Sequence, residues 1–176
     1  MLRWAGIVFY LVASMKEFRL PPHTHRELPH LVLEIPFFAT LPSRIVRELM
    51  RFCTILDCDP GDCLIREGAE DDSLLFLLNG EIQIEKDGTI LAGAWKKGEL
   101  MGEISHLRGT PRSATLLAHG KVQCLRVRPE FLEHLPESDQ HEYHASLYRF
   151  LARVLADRLD VTSRKLVHLE HKMAAG

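Results

Sequence analysis

The stretch "GELMGEISHLRGTPRSATL", Gly98 to Leu116, decides how this chain is read. It sets Glu103 and Arg112 close to Ile104, Leu107 and Leu116, and organises them around glycines and a proline. Neither a good helix nor a good strand has that composition, and an ordinary loop has no use for so much arranged charge. "GEISHL" is long enough for one or two helical turns starting near Gly102. Such a turn aims free backbone N–H groups at whatever precedes it, which suits an anion. Gly102 lacks the side chain that would block approach. Pro111 stiffens the return and presents Arg112, whose guanidinium fork matches a phosphate, and Ser113 adds an N–H and a hydroxyl. Glu103 would repel a phosphate, so accepting a hydrogen bond from a sugar hydroxyl is its natural task. An anion cradle, an arginine and a hydroxyl acceptor together describe a site for a nucleotide with a single phosphate group. A buried Glu103–Arg112 ion pair that only ties the loop down is the competing reading.

Outward from this stretch, residues from about 53 to 127 have a β pattern. "DCLIRE", "SLLFLLNG", "EIQIEKDGTILAGAW" and "KVQCLRVR" are short strands separated by turn signals. Asp87-Gly88, flanked by Ile82 and Ile84 alternating with Gln83 and Glu85, predicts a type I′ hairpin. Glycines 61, 68, 80, 88, 98, 102, 109 and 120 fall about where strands should turn. Many short strands at this spacing predict a small antiparallel barrel or sandwich. Before them, "LPSRIVRELMRFC" predicts a short amphipathic helix, with Ser43 as N-cap and Ile45, Leu49 and Phe52 at helical spacing. After Pro129, "EFLEHL" predicts a brief helix. From Asp139 to Met173 there is neither proline nor glycine. Tyr148, Ala152, Leu155, Leu159, Thr162, Leu166 and Leu169 then recur at alternating spacings of four and three, a heptad seam. Leu147, Leu151 and Val154 form an adjacent stripe. One stripe can pack on the helix's own domain and the other on a second copy, which predicts a homodimer; one broad face buried in a monomer is the alternative.

The stretch resembles the phosphate-binding cassette of the cyclic nucleotide-binding domain family, with "GEI", "SHLRGT" and "PRSA" in place, and the likeness runs from about Phe37 to Leu169. It implies an α+β, mainly β fold: an antiparallel jelly-roll β-roll with short N-terminal helices and a long C-terminal helix. It further implies ribose recognition by Glu103, and phosphate recognition by Arg112, Ser113, the neighbouring Ala114 and the amides near Gly102 and Ile104. Ser105-His106 replaces the family's usual Ala-Leu, so His106 either faces solvent or weakens the pocket. "ADRLDVTSRKL" is similar to the dimer helix of bacterial catabolite activators (the Crp/Fnr type), which implies purine contacts by Thr162 and Ser163, the latter across the dimer, and favours cAMP over cGMP. No helix-turn-helix segment follows within the chain, so direct DNA binding is not expected.

These readings predict an N-terminal apolar segment and linker over 1–30, a β-roll with its preceding helix over 31–136, and a dimerisation or lid helix over 137–176. The expected function is a stand-alone sensor of cAMP, or of cGMP, that acts through the C-terminal helix on a partner protein or a dimer surface. A ligand-free dimerisation module and an Fnr-like redox or metal sensor are the alternatives. The net charge of −2 gives no argument for nucleic acid or anionic membrane as a whole-protein partner. The four cysteines, Cys53, Cys58, Cys63 and Cys124, are too few and too oddly spaced for a disulfide framework, and match neither a zinc nor an iron–sulfur pattern. A cytoplasmic setting is the default. No cofactor or metal is expected: the histidines His23, His25 and His30 lack a fourth ligand nearby. An enzyme is not expected either, because no nucleophile–base pair or carboxylate dyad presents itself, and the predicted strands lack the histidines a cupin needs. "LRWAGIVFYLVASM" at the N-terminus mimics a short signal peptide and is too short to span a bilayer; a packed helix and a true start at Met15 are its other readings.

Overall fold

A computed structural model describes residues 15–19, 34–91 and 97–174. Among these residues, nine strands form two antiparallel sheets: β1 (Lys16–Arg19), β2 (Cys53–Cys58), β3 (Cys63–Ile65), β4 (Leu74–Asn79), β5 (Ile82–Lys86), β6 (Thr89–Leu91), β7 (Leu100–Met101), β8 (Thr115–Ala118) and β9 (Val122–Val127). The first sheet has the order β1-β2-β9-β4-β7, the second β3-β8-β5-β6. Three helices accompany them: α1 (Ser43–Met50), α2 (Glu103–Arg108) and α3 (Glu137–Ala174). This is the expected β-roll with its long C-terminal helix.

The strand β4, "LLFLLN", has no polar alternation because the first sheet is covered on both faces. Leu74, Phe76 and Leu78 enter one core, with Ile45 and Leu49 of α1 and Tyr143, Leu147 and Leu151 of α3. Leu75 and Leu77 enter a second core between the sheets, with Leu56, Leu64, Ile82, Met101, Leu116 and Cys124. Burying a side chain of this size contributes about 1.5–3 kcal/mol, so β4 fastens the roll to the helices through its two faces. The hairpin turns as the sequence predicts: Asp87 and Gly88 have φ of 49° and 73°, and Lys86 pairs with Thr89 across them.

Two expectations are corrected. Ser43 is the first residue of α1 rather than its cap; Pro42 holds the cap position and no side chain bonds there. Its fixed φ suits a helix entrance, which leaves the serine hydroxyl no capping role. "EFLEHL" falls in a brief helix as expected, a 3-10 helix over Pro129–His134 that proline opens. Residues 16–19, expected to precede the roll, form its edge strand: Lys16 pairs with Asp57 and Arg19 with Thr54. Glu17 fixes that strand by accepting from Thr54, Arg126 and Arg128. The signal-like stretch before Met15, the three histidines of the linker and the end of "LAGAW" lie outside the described residues. Among the described residues no helix is long and apolar enough to cross a membrane.

The helix α3 divides into two lengths. Its first half buries Tyr143, Leu147 and Leu151 against the roll. The predicted seam faces away: Tyr148, Leu159, Leu166 and Leu169 are all exposed, Leu159 at 68%.

Candidate nucleotide-binding site

The sheet strand β7 delivers the chain to Gly102, whose φ of +88° is open to glycine at no steric cost. A second constraint acts there. A Cβ at Gly102 would lie 2.3 Å from Nη1 of Arg112 and 2.9 Å from the Ser73 carbonyl oxygen. The absent side chain thus makes room for Arg112 rather than only for a ligand. The helix α2 begins at Glu103 and stops at Gly109, which is also left-handed. The return loop is stitched to the 66–69 turn: Arg112 N–H donates to Ala69 O at 2.9 Å, and Gly68 N–H to Arg112 O at 2.8 Å. That backbone pairing, more than Pro111 alone, aims the Arg112 side chain inward.

Arg112 is only 3% exposed. Its Nη1 donates to Gly102 O at 3.0 Å and Ser105 Oγ at 2.8 Å. Its Nη2 donates to Asp71 Oδ2 at 2.7 Å and to the Ser73 carbonyl and hydroxyl. Nε is buried with no partner among the described residues. Partial burial raises the Asp71 carboxyl, but hydrogen bonds from Arg112 and from the Ser73 amide outweigh it and hold the group below its ordinary value. The fork that the sequence reading offers to a phosphate is therefore occupied at both terminal nitrogens by the protein itself. A guanidinium taken from water must be paired and hydrogen-bonded, and this one is held by groups from two separate segments, 71–73 and 102–105.

Glu103 is 2% exposed. It does not pair with Arg112, the alternative left open by the sequence; its partner is Arg158 of α3, through Nη1 and Oε1. Arg158 Nη2 also donates to the Leu100 carbonyl. Burial pushes the Glu103 carboxyl above its ordinary value, with Arg158 and Arg112 acting the other way. Burial likewise lowers Arg158 while Glu103 opposes the shift.

Around these groups lies a cavity of about 430 Å³. Ile65, Ile84, Leu91, Met101 and Leu116 supply its apolar wall, and Gly102, Glu103, Ile104, Arg112, Ser113 and Ala114 its cassette side. Six of the eight residues singled out in the sequence are thus brought together. Thr162 and Ser163 are not: both are exposed on α3, and the helix meets the cavity one turn earlier, at Arg158. Arg158 lies inside the stretch that carried the resemblance, but no local pattern distinguishes it from the other arginines of that helix. Lys86 was also missed; its Nζ donates to Ser113 O at 2.8 Å and pairs with Glu67 at 3.0 Å. His106 is half-buried beside Asp72 and lines a neighbouring depression, not the cavity.

A guanidinium whose buried Nε–H has no partner among the described residues, a buried carboxylate and a glycine at the helix start form one wall of a mostly apolar cavity in a β-roll. Such a site defines a nucleotide-binding regulatory class, and the comparisons agree. Residues 56–139 match the family model described as "Cyclic nucleotide-binding domain". The chain carries a cyclic nucleotide-binding domain. It is similar to the cGMP-dependent protein kinase egl-4 of Caenorhabditis elegans, at 27% identity over 118 residues, which cover 67% of this chain and 15% of that one. It is also similar to the cAMP-dependent protein kinase regulatory subunit of Yarrowia lipolytica, at 29% identity over 115 residues, 60% of this chain and 31% of that one. The chain thus spans less than a third of the length of these curated relatives. In fold it is similar to a cyclic nucleotide-binding domain from Methylobacillus flagellatus KT, with a TM-score of 0.68 and 21% identity over 87% of this chain and 88% of the other.

Proposed function

We propose that this domain binds a cyclic mononucleotide, cAMP with cGMP as the alternative, and transmits occupancy of the cavity to α3. The observation that carries the reading is Arg112 in the cavity wall, with an Nε–H that is buried and has no partner among the described residues. A donor of this kind is expensive to bury unpaired, and an anionic phosphate oxygen is a fitting acceptor. Ser113, whose N–H and hydroxyl have no partner among the described residues, adds two further donors beside it. Glu103 gives one oxygen to Arg158 and keeps acceptor capacity for a ribose hydroxyl.

Arg158 supports the coupling step. A ligand hydroxyl reaching Glu103 meets the residue that holds α3, so its affinity differs between helix positions and shifts their populations. The exposed seam fits a second copy of the chain, whose helix would bring Thr162 and Ser163 toward the purine. The output is regulatory rather than catalytic, directed at a dimer surface or an effector protein, in the cytoplasm, where the four free cysteines stay reduced.

The test is isothermal titration with cAMP and then cGMP. Saturable binding of cAMP alone supports the cassette and the roles of Thr162 and Ser163. Equal binding of both keeps the cassette and removes Thr162 and Ser163 as discriminators. Binding of neither overturns it and leaves a ligand-free roll latched by Arg158.

A further inference from the structure

The return loop from Arg112 to Thr115 is tied down almost residue by residue. Arg112 exchanges two backbone hydrogen bonds with the 68–69 turn, and Thr115 Oγ1 accepts from the Glu67 N–H at 3.0 Å. Those tethers hold the two ends of the loop. The peptide between Ser113 and Ala114 is reached by Lys86, the last residue of β5, whose Nζ donates to Ser113 O at 2.8 Å. Glu67 keeps Lys86 in that place: one of its oxygens accepts from Nζ at 3.0 Å, the other from the Asp87 N–H at 3.1 Å. One lysine thus joins the β5–β6 hairpin, the 66–69 turn and the return loop. The two side chains are 47% and 31% exposed, and an ion pair so placed adds little to stability.

We propose that Lys86 is a positioning residue for the nucleotide: by fixing the Ser113 carbonyl, it sets the Ser113 hydroxyl and the Ala114 N–H for the phosphate. The proposal rests on the nucleotide-binding reading above. Its physical basis is the geometry of the peptide. In a planar trans unit the carbonyl and the following N–H point to opposite edges, so a cation on Ser113 O fixes the direction of the Ala114 N–H. A loop already held in its binding geometry does not lose that freedom when the ligand arrives. Nζ has three donors, and Glu67 and Ser113 take two of them. Lys86 also lines the cavity, so a direct contact with the phosphate is the rival role. A cation acting straight on the ligand would be indifferent to Ser113, whereas a positioning residue acts through it.

The experiment titrates the full chain with cAMP and with cGMP, at low and at high salt. Beside wild type it uses Lys86→Met, Lys86→Arg, Ser113→Ala and the double variant Lys86→Met/Ser113→Ala. Thermal midpoints of the unliganded proteins are recorded alongside. Lys86→Met should weaken whichever nucleotide binds, and both by the same factor, about tenfold, because the phosphate is common to them. Lys86→Arg, which keeps a donor for Ser113 O, should recover most of the loss. Ser113→Ala should weaken wild type but add little to Lys86→Met, since residues acting through one contact are not additive. The midpoint of Lys86→Met should move by less than about 4 °C. Fully additive losses with a flattened salt dependence would make Lys86 a direct contact and overturn the proposal. Unchanged affinity in Lys86→Met, or a loss confined to one base, overturns it too, with the nucleotide-binding reading intact. If wild type binds neither nucleotide, that reading fails and this one with it.

Discussion

Arg158 donates to Glu103 across 55 residues of chain, joining the long helix α3 to the first residue of the cassette helix. Each partner is poorly placed without the other. Glu103 is buried deeply enough for its carboxyl to rise above its ordinary value, and Arg158 is the cation that restrains the rise. The contact lies on the cavity wall, so the same two side chains belong to helix docking and to the site.

Replacing Arg158 with glutamine should therefore destabilise the fold in a pH-dependent way. Without its cation, the Glu103 carboxyl rises further. A carboxyl whose folded pKa exceeds its unfolded value contributes stability in full below the unfolded value and loses it as pH rises through the folded one. The variant should lose about 1–3 kcal/mol near neutral pH, and the deficit should shrink toward about pH 4. Urea unfolding of wild type and variant across that range measures it. A deficit that is the same at every pH would mean that the contact does not involve an ionised Glu103.

Asp71 behaves with the opposite sign. Its carboxyl is held below its ordinary value by Arg112 and the Ser73 amide against the effect of burial. Its stabilising contribution is present above the unfolded pKa and disappears as pH falls through the folded one. Asp71→Asn should cost about 1–2 kcal/mol at neutral pH, low in the range for a lost charged partner because Asp71 is half-exposed. Below about pH 3 the variant and wild type should converge. Acid titration of the two proteins, followed by circular dichroism, checks this.

What could be read in the sequence was local. The hairpin at Asp87-Gly88, the turn glycines, and the run from Gly102 to Ala114 have short spacings that fix backbone conformation directly. The partners of the two charged residues could not be read. Glu103 finds Arg158, and Arg112 finds Asp71, 41 residues earlier, through the packing of sheet and helix, which no spacing records. The same holds for β1: four residues with a charge at three positions have no strand signal of their own. They become a strand because β2 offers an unpaired edge, and because Thr54, Arg126 and Arg128 converge on Glu17. Thr162 and Ser163 were matched to a dimer helix, and a single chain provides no place for them.

Gly102→Ala separates the two roles of that glycine. The residue's φ of +88° disfavours any side chain, and the new Cβ would press on Arg112 and on the Ser73 carbonyl. Arg112 can swing only by giving up its bonds to Gly102 and Ser105. The expected outcome is a loss of about 1–3 kcal/mol in stability, together with a loss of nucleotide binding. If the variant is destabilised but binds with unchanged affinity, Arg112 is held elsewhere when ligand is present.

The last prediction concerns the exposed seam of α3. Leu159, Leu166 and Leu169 are each more than half exposed, while Leu147 and Leu151 on the other stripe are buried against the roll. Leu159 and Leu166 are exposed in the single chain, so glutamate at both should leave monomer stability within about 0.5 kcal/mol of wild type. In a heptad seam the same substitutions set like charges against each other at the core positions of two helices. Sedimentation equilibrium should then show wild type as a dimer and the double variant as a monomer at the same concentration. The variant should also show no contribution from Thr162 and Ser163: mutating them should change cAMP affinity in the dimer and not in the monomer. A wild type that stays monomeric at every concentration would place the purine contacts within one chain, and the coupling step would then rest on Arg158 alone.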